Sequence, residues 1–163
     1  MQKTPPRVLA VDPVHKGFGY VVFEPPLNLV ASGIARIEGD KQADAIAHFE
    51  KLFTNFQPDA VVLEDVNAPG ARRRHRARSL IEALAKFAAD RGLMVETVSR
   101  KAVMDCFSSP EERATKYSIA KWLAEAFPVL QPKLPPPRKL WESEDERMSI
   151  FDALALAVTY TSK

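Results

Sequence analysis

Ala60-Val61-Val62-Leu63-Glu64-Asp65-Val66 opens on four apolar residues without alternation and then ends in acid. An unbroken apolar run of this length is expected of a central parallel strand covered on both faces. Such a strand needs helices on either side. Just upstream, Ala43, Ile46, Ala47, Phe49, Leu52, Phe53 and Phe56 recur at intervals of three and four, the spacing of one helical face, which predicts a crossover helix over 42–56. Further upstream, residues 7–12 (RVLAVD) form another short apolar run that also closes on a carboxylate. Gly17 and Gly19 read as a turn before a second run at 20–23, which Pro25 and Pro26 stop. Residues 29–37 resume with β-branched side chains and Gly39-Asp40 closes them, completing a three-stranded meander.

Downstream, an arginine-dense stretch merges into a helix that carries Leu80, Ile81, Leu84, Phe87 and Ala88 on one face and stops at Gly92. Residues 93–98 predict a further strand. Ser109-Pro110-Glu111-Glu112 reads as a helix start, with Ser at the cap and Pro at the first helical position, for a helix running to Phe127. Five prolines within 128–137 predict an extended connection without regular structure. A last helix is expected from Ser143, with Glu146 closing its capping box, to about Thr161. The order predicts an α/β domain built on a mixed sheet.

The chain has 163 residues and is 46% apolar, enough for one core, so a single domain spanning 1–163 is expected. With 23 Lys and Arg against 21 Asp and Glu, placement of charge matters more than its sum. Cys106 is the one cysteine, which excludes an internal disulfide and a zinc framework and suits a reducing compartment. No long apolar run suggests a membrane span and the first residues carry no apolar signal core, so the expectation is a cytoplasmic protein without a membrane partner.

In open α/β sheets ligands gather at the carboxyl ends of the strands, where Asp12 and Glu64 stand. Either one alone is ordinarily a turn or cap residue. Asp152 is different, because it lies in Ile150-Phe151-Asp152-Ala153-Leu154-Ala155, apolar nearly all round. An ionised Asp there costs several kcal/mol unless a cation, from a side chain or a metal, stands beside it. Three acids at the edges of apolar elements predict a shared site, and oxygen-only ligands favour Mg²⁺ or Mn²⁺. If the last helix starts at Ser143, Asp145 falls within about 20° of Asp152 and is the better fourth ligand, Glu146 being the capping-box residue.

Eight residues after Glu64 begins a basic run, with Arg72, Arg73, Arg74, Arg76 and Arg78 inside seven positions. A nearly neutral chain that concentrates arginine beside candidate metal ligands is built for a polyanion, since guanidinium groups fork onto phosphates. Lys101 is a further candidate contact. Most other cations, Arg100 and Arg138 among them, are expected to be ordinary solvated side chains, and His15, Lys16 and His75 carry little weight.

Taken together, these residues resemble the RuvC-type Holliday junction resolvases of the RNase H-like superfamily. Val8-Leu9-Ala10-Val11-Asp12-Pro13 with Gly19-Tyr20 is similar to that family's first strand and turn, residues 60–66 to its Glu-bearing strand, and Asp152-Ala153-Leu154-Ala155-Leu156-Ala157 to its closing helix. The resemblance implies a five-stranded mixed sheet flanked by helices. It implies a homodimer acting on branched DNA through the phosphate backbone, with the helix at 78–91 supplying the dimer contact. Asp12, Glu64 and Asp152 would hold two Mg²⁺ ions, with Mn²⁺ as substitute and Asp12 bridging them, and Lys116 would lie near the scissile phosphate. The chain departs from the family at three positions: Ser149 replaces a fourth acid, Val14 a Gly, and Asn67 an aromatic residue.

Three other readings compete. An RNase H or YqgF-like nuclease keeps the fold and metals and changes the substrate to RNA or an RNA/DNA hybrid. A non-catalytic nucleic-acid-binding protein would have no use for intact acids. Half of an actin-like or sugar-kinase ATPase would want Gly rather than Val14 in its phosphate turn, and 163 residues are too few for its two lobes.

Overall fold

The computed structural model describes residues 6–38 and 41–162. Its chain order is β1 (Val8–Val14), β2 (Gly17–Glu24), β3 (Asn28–Arg36), α1 (Lys41–Phe56), β4 (Ala60–Glu64), α2 (His75–Asp90), β5 (Met94–Val98), α3 (Arg100–Phe107), α4 (Lys116–Ala126), a 3₁₀ helix (Pro128–Lys133) and α5 (Met148–Thr161). The five strands form one sheet in the order β3-β2-β1-β4-β5. β1, β2 and β3 make the antiparallel meander, and β4 and β5 add to β1 in parallel. Among the described residues no helix is long and apolar enough to cross a membrane.

Strand parity divides the core into two layers. Val8, Ala10, Ala60 and Val62 face the layer that contains α4 and α5. Leu9, Val11, Val61 and Leu63 face the layer of α1 and α2, where Phe49 packs edge-on against Phe18 and tilted against Phe53. Helices on both faces are what the unbroken apolar sequence of β4 demanded.

The glycines expected in a turn lie inside β2 instead, and the chain turns at His15-Lys16. Both glycines are required by close approach. Gly17 has φ +138°, and a Cβ there would meet the Ala35 carbonyl oxygen at 1.8 Å. A Cβ on Gly19 would meet Ser149 Oγ at 2.1 Å, so β2 admits the start of α5 only where it has no side chain. The closing turn expected at Gly39-Asp40, like residues 1–5, lies outside the described residues.

Three further expectations are corrected. Ser109 and Glu112 exchange backbone hydrogen bonds in an isolated turn, and the helix starts at Thr115. There Thr115 and Ser118 form a reciprocal capping box, while the Ser108 hydroxyl accepts the Ala114 N–H and holds the intervening chain out of helix. A short helix, α3, was not foreseen; its signal was Ser99, whose side chain caps it by accepting the Ala102 N–H. The proline-rich connection is not wholly irregular, because Pro128 opens a 3₁₀ helix that buries Leu130. Finally, α5 begins at Met148 rather than Ser143. Asp145 accepts the Arg147 N–H in a tight side-chain turn, and 3₁₀-type bonds from Met148 and Ser149 to the carbonyls three residues back lead into the helix.

Candidate active site

Asp12 and Glu64 continue the parity that points Ala10 and Val62 toward α5. The parallel register pairs Ala10 with Val62, so two residues on it sets Asp12 level with Glu64, on strands about 4.8 Å apart. Asp152 comes from the second turn of α5, which packs against β1 and β2. The three acids line one small pocket of about 30 Å³, the space of a single ion or water, together with Arg100, Lys116 and Ile119. Asp12 and Glu64 are buried to about 5% exposure, deep enough that ionised oxygens require compensation.

That compensation comes from two side chains of the same protein. The Arg73 guanidinium donates from Nη2 to Asp12 Oδ1 and, from Nε and Nη2, to Glu64 Oε1 at 3.2 and 3.1 Å. It thereby lies across the two strand ends. On the other side, Lys116 Nζ stands 2.5 Å from Glu144 Oε1 and 3.0 Å from Asp152 Oδ2. The second contact is an ion pair without hydrogen-bond alignment, which leaves Asp152 Oδ2 buried and without a hydrogen-bond donor. The charged partner that Asp152 required is therefore Lys116.

Asp12 and Asp152 remain hard to ionise. Burial pushes Asp12 from 3.8 up to about 7, with the neighbouring Asp152 charge adding to the rise and Arg73 and Lys116 opposing it. Burial raises Asp152 as well, against the pull of Lys116. For Lys116 burial works against the charge, and Asp152 and Glu144 more than reverse it, so the ammonium is held firmly protonated. Arg73 behaves in the same way between Asp12 and Glu64.

Among the described residues, no three His, Cys, Asp or Glu side chains stand as a ready-made metal cage. The donor set nonetheless fits a hard divalent cation: only carboxylate oxygens converge as candidate ligands, burial makes Asp12 and Asp152 resist ionisation, and Asp152 Oδ2 is buried with the Lys116 ion pair but no aligned hydrogen-bond donor. Asp12, Glu64 and Asp152 would hold it once Arg73 swings aside. Asp145, expected as a fourth ligand, is not brought to this pocket. Because α5 starts at Met148, the helical angle that aligned Asp145 with Asp152 does not exist, and its carboxylate is gripped by Arg147 at 2.8 and 3.0 Å. Glu146 pairs with Arg36 at 2.5 Å. Ser149, where the resemblance has an acid, is buried against Gly19 and donates to the Glu146 carbonyl.

The basic run divides by direction. Arg73 turns inward, and Arg78 braces the loop after β4 through the Val66 carbonyl at 2.6 Å and Asn67 Oδ1 at 3.2 Å. Arg72, Arg74 and Arg76 are exposed and rim a cleft of about 560 Å³ with Pro13, His15 and Gln42, one residue from Asp12. Lys101 lies on α3, exposed and paired with Asp105 at 2.6 Å. Sequence reasoning missed Glu144, one of four acids crowded into an irregular loop where no periodicity singles it out. It also passed over Arg100, which follows the β5 strand end and lines the acid pocket.

No family model and no curated protein matches the chain in sequence. Solved structures do match in fold. Thermus thermophilus RuvC in complex with a Holliday junction substrate superposes with a TM-score of 0.65 at 18% identity, over 94% of this chain and 90% of that one. The yeast mitochondrial Holliday junction resolvase gives 0.59 at 15% identity, over 95% and 78%. The fowlpox virus Holliday junction resolvase gives 0.55 at 14% identity, over 96% and 97%. The shared architecture is the RNase H-like five-stranded mixed sheet flanked by helices.

Proposed function

We propose that this protein is a divalent-metal-dependent endonuclease that hydrolyses phosphodiester bonds in branched DNA, in the manner of a Holliday junction resolvase. The observation that carries the reading is the convergence of Asp12, Glu64 and Asp152 from three separate elements into one pocket, beside a cleft rimmed by Arg72, Arg74 and Arg76. The likeness in fold to resolvases from a bacterium, a mitochondrion and a virus supports the same substrate class.

Within this reading the outward arginines take the phosphate backbone, which sets the strand's position without reading its sequence. Asp12, Glu64 and Asp152 would hold Mg²⁺, or Mn²⁺ in its place, with room for a second ion only once Arg73 leaves the two strand ends. Bound there, the metal supplies Lewis-acid polarisation of the phosphate and a more acidic water. Lys116, kept charged by Asp152 and Glu144, balances negative charge building on the phosphate as the bond breaks. Arg73 holds Asp12 and Glu64 together, and its charge would be free for phosphate wherever a bound metal took over those carboxylates.

A homodimer belongs to the proposal because two strands must be cut at a junction. The exposed stripe of α2 is polar, with Glu82, Lys86 and Asp90, so contact there is polar rather than core-like. Sedimentation with and without junction DNA measures it.

The deciding experiment incubates the protein with Mg²⁺ and, separately, a four-way junction, a nicked duplex and an RNA/DNA hybrid. Symmetric incision of the junction in preference to the others is the expected result. Cleavage of the hybrid alone replaces the proposal with an RNase H or YqgF-like reading, and binding without cleavage of any substrate removes the nuclease.

A further inference from the structure

Leu140 and Trp141 are the two most exposed large apolar side chains among the described residues, at 102% and 80%. They are neighbours. Glu142 N–H donates to the Lys139 carbonyl at 3.0 Å, which closes a four-residue turn with Leu140 and Trp141 at its tip. Turn tips ordinarily carry Gly, Asn, Asp, Pro or Ser, and a scattered exposed Leu needs no explanation, whereas two adjacent apolar side chains on a fastened turn do.

The turn is fastened on both sides. Before it, Pro135, Pro136 and Pro137 keep the backbone extended, and the Tyr117 hydroxyl donates to the Pro135 carbonyl at 3.1 Å. After it, Glu144 is tied to Lys116, Asp145 to Arg147 and Glu146 to Arg36. The tip is thus presented rather than loose. The same ties neutralise the three acids that follow the turn, Glu144, Asp145 and Glu146, and leave Arg138, Lys139 and Glu142 as the outward charges around its tip. Lys139 Nζ lies 5.5 Å from the centre of the Trp141 ring. A cleft of about 390 Å³ lined by Lys116, Tyr117, Arg138 and Glu142 adjoins the turn. Glu144 is three residue steps from Trp141, at most about 11 Å of chain, and holds the lysine that stands beside Asp152.

We propose that Trp141 is a stacking platform for an unpaired nucleobase of the DNA strand entering the acid pocket, with Arg138 and Lys139 on the phosphates beside that base. This rests on the nuclease reading and deepens it by adding a contact selective for unpaired strand. A planar indole flanked by cations suits a base next to its phosphates, and a base inside a duplex has both faces covered. Glu142 carries no cation partner among the described residues and keeps phosphate off the turn's far side. A base left unpaired at a branch would therefore be sensed on this turn, close in the chain to the Glu144 that holds Lys116 beside Asp152.

The sequence has two tryptophans, so the W122F variant, which keeps the ring packed edge-on against Phe107, reports on Trp141 alone. Its fluorescence is titrated in Ca²⁺, to suppress turnover, with a single-stranded oligonucleotide, the fully paired duplex of that oligonucleotide, and a four-way junction. Quenching by single strand and junction but not by duplex is expected. W141A should then bind single strand about tenfold more weakly, a loss of about 1.4 kcal/mol, with W141F restoring much of it and duplex affinity unchanged. Equal quenching by duplex, an unchanged W141A affinity for single strand, or an emission change that follows protein concentration without DNA overturns the platform. If the wild-type protein still cuts junctions in that case, the nuclease reading stands; if it cuts none, that reading has failed on its own test.

Discussion

The carboxyl end of the sheet has two kinds of charged surface, and they are built oppositely. In the acid pocket Asp12 and Glu64 are buried and Asp152 largely so, and each is answered by a cation from elsewhere in the chain, Arg73 for Asp12 and Glu64, Lys116 for Asp152. Around it, on the loop before α2, in the first turn of α2 and just ahead of the turn at 139–142, the outward cations Arg72, Arg74, Arg76 and Arg138 stand exposed, and among the described residues no acid answers them. The contrast follows from solvation. A buried ion must find a partner within the fold, whereas a solvated one waits at little cost for a partner from outside. An acid pocket held shut by internal cations, ringed by free ones, is arranged so that a polyanion and a metal ion replace the internal pairs.

The largest effect should come from removing the acids themselves. D12N or D152N is expected to lose roughly 10³-fold or more in junction cleavage with Mg²⁺ while retaining junction binding in a gel-shift assay. Loss of binding in step with cleavage would mean that the acids act only on folding. Stripping the outer ring sharpens the other half of the contrast. In R72A/R74A/R76A the slope of log affinity against log salt should flatten by about 2.7, close to 0.9 for each phosphate that the variant leaves un-neutralised. An unchanged slope would place the DNA elsewhere.

R73Q tests whether the internal cation competes with the metal. Calorimetric titration should show Mn²⁺ bound several-fold more tightly than by the wild type, and the metal-free variant should melt at a lower temperature because two buried carboxylates lose their partner. Weaker Mn²⁺ binding would make Arg73 part of the metal site instead.

The smallest effect concerns pH. Asp12 keeps its proton in the folded protein up to about 7, and the unfolded chain loses it near 3.8. The folded state therefore binds more protons in that window, so the metal-free protein loses stability as pH rises through it and levels off above. D12N removes the dependence. Its melting temperature should exceed that of the wild type at pH 8, on the scale of about 2–4 °C for each kcal/mol, and the gap should close at pH 4. A constant gap would show that Asp12 is ionised throughout.

Much of this architecture is legible along the chain because it is local. The parity of β1 and β4, the helical face of residues 42–56 and an Asp set in an apolar helix are patterns over a few residues, and hydrophobic burial makes them binding. So are the acids at two strand ends, which is why Asp12, Glu64 and Asp152 emerge without coordinates. Where two local signals competed, reading failed: Ser109 and Thr115 both offered a cap, as did Ser143 and Asp145. Position in the fold chose Thr115 for α4, and at α5 it used neither, since that helix starts at Met148 without a side-chain cap and the alignment of Asp145 went with the lost turn.

The sequence by itself thus determined which residues are buried, which strands are central and which acids are out of place, since each depends on the period of neighbouring side chains. Only the tertiary structure decided which of five clustered arginines turns inward, that Glu144 and Lys116 meet, and that Leu140 and Trp141 stand on a pinned tip. Those outcomes depend on what arrives from distant segments, and a charge's partner is chosen by proximity in space, a quantity that spacing along the chain does not encode.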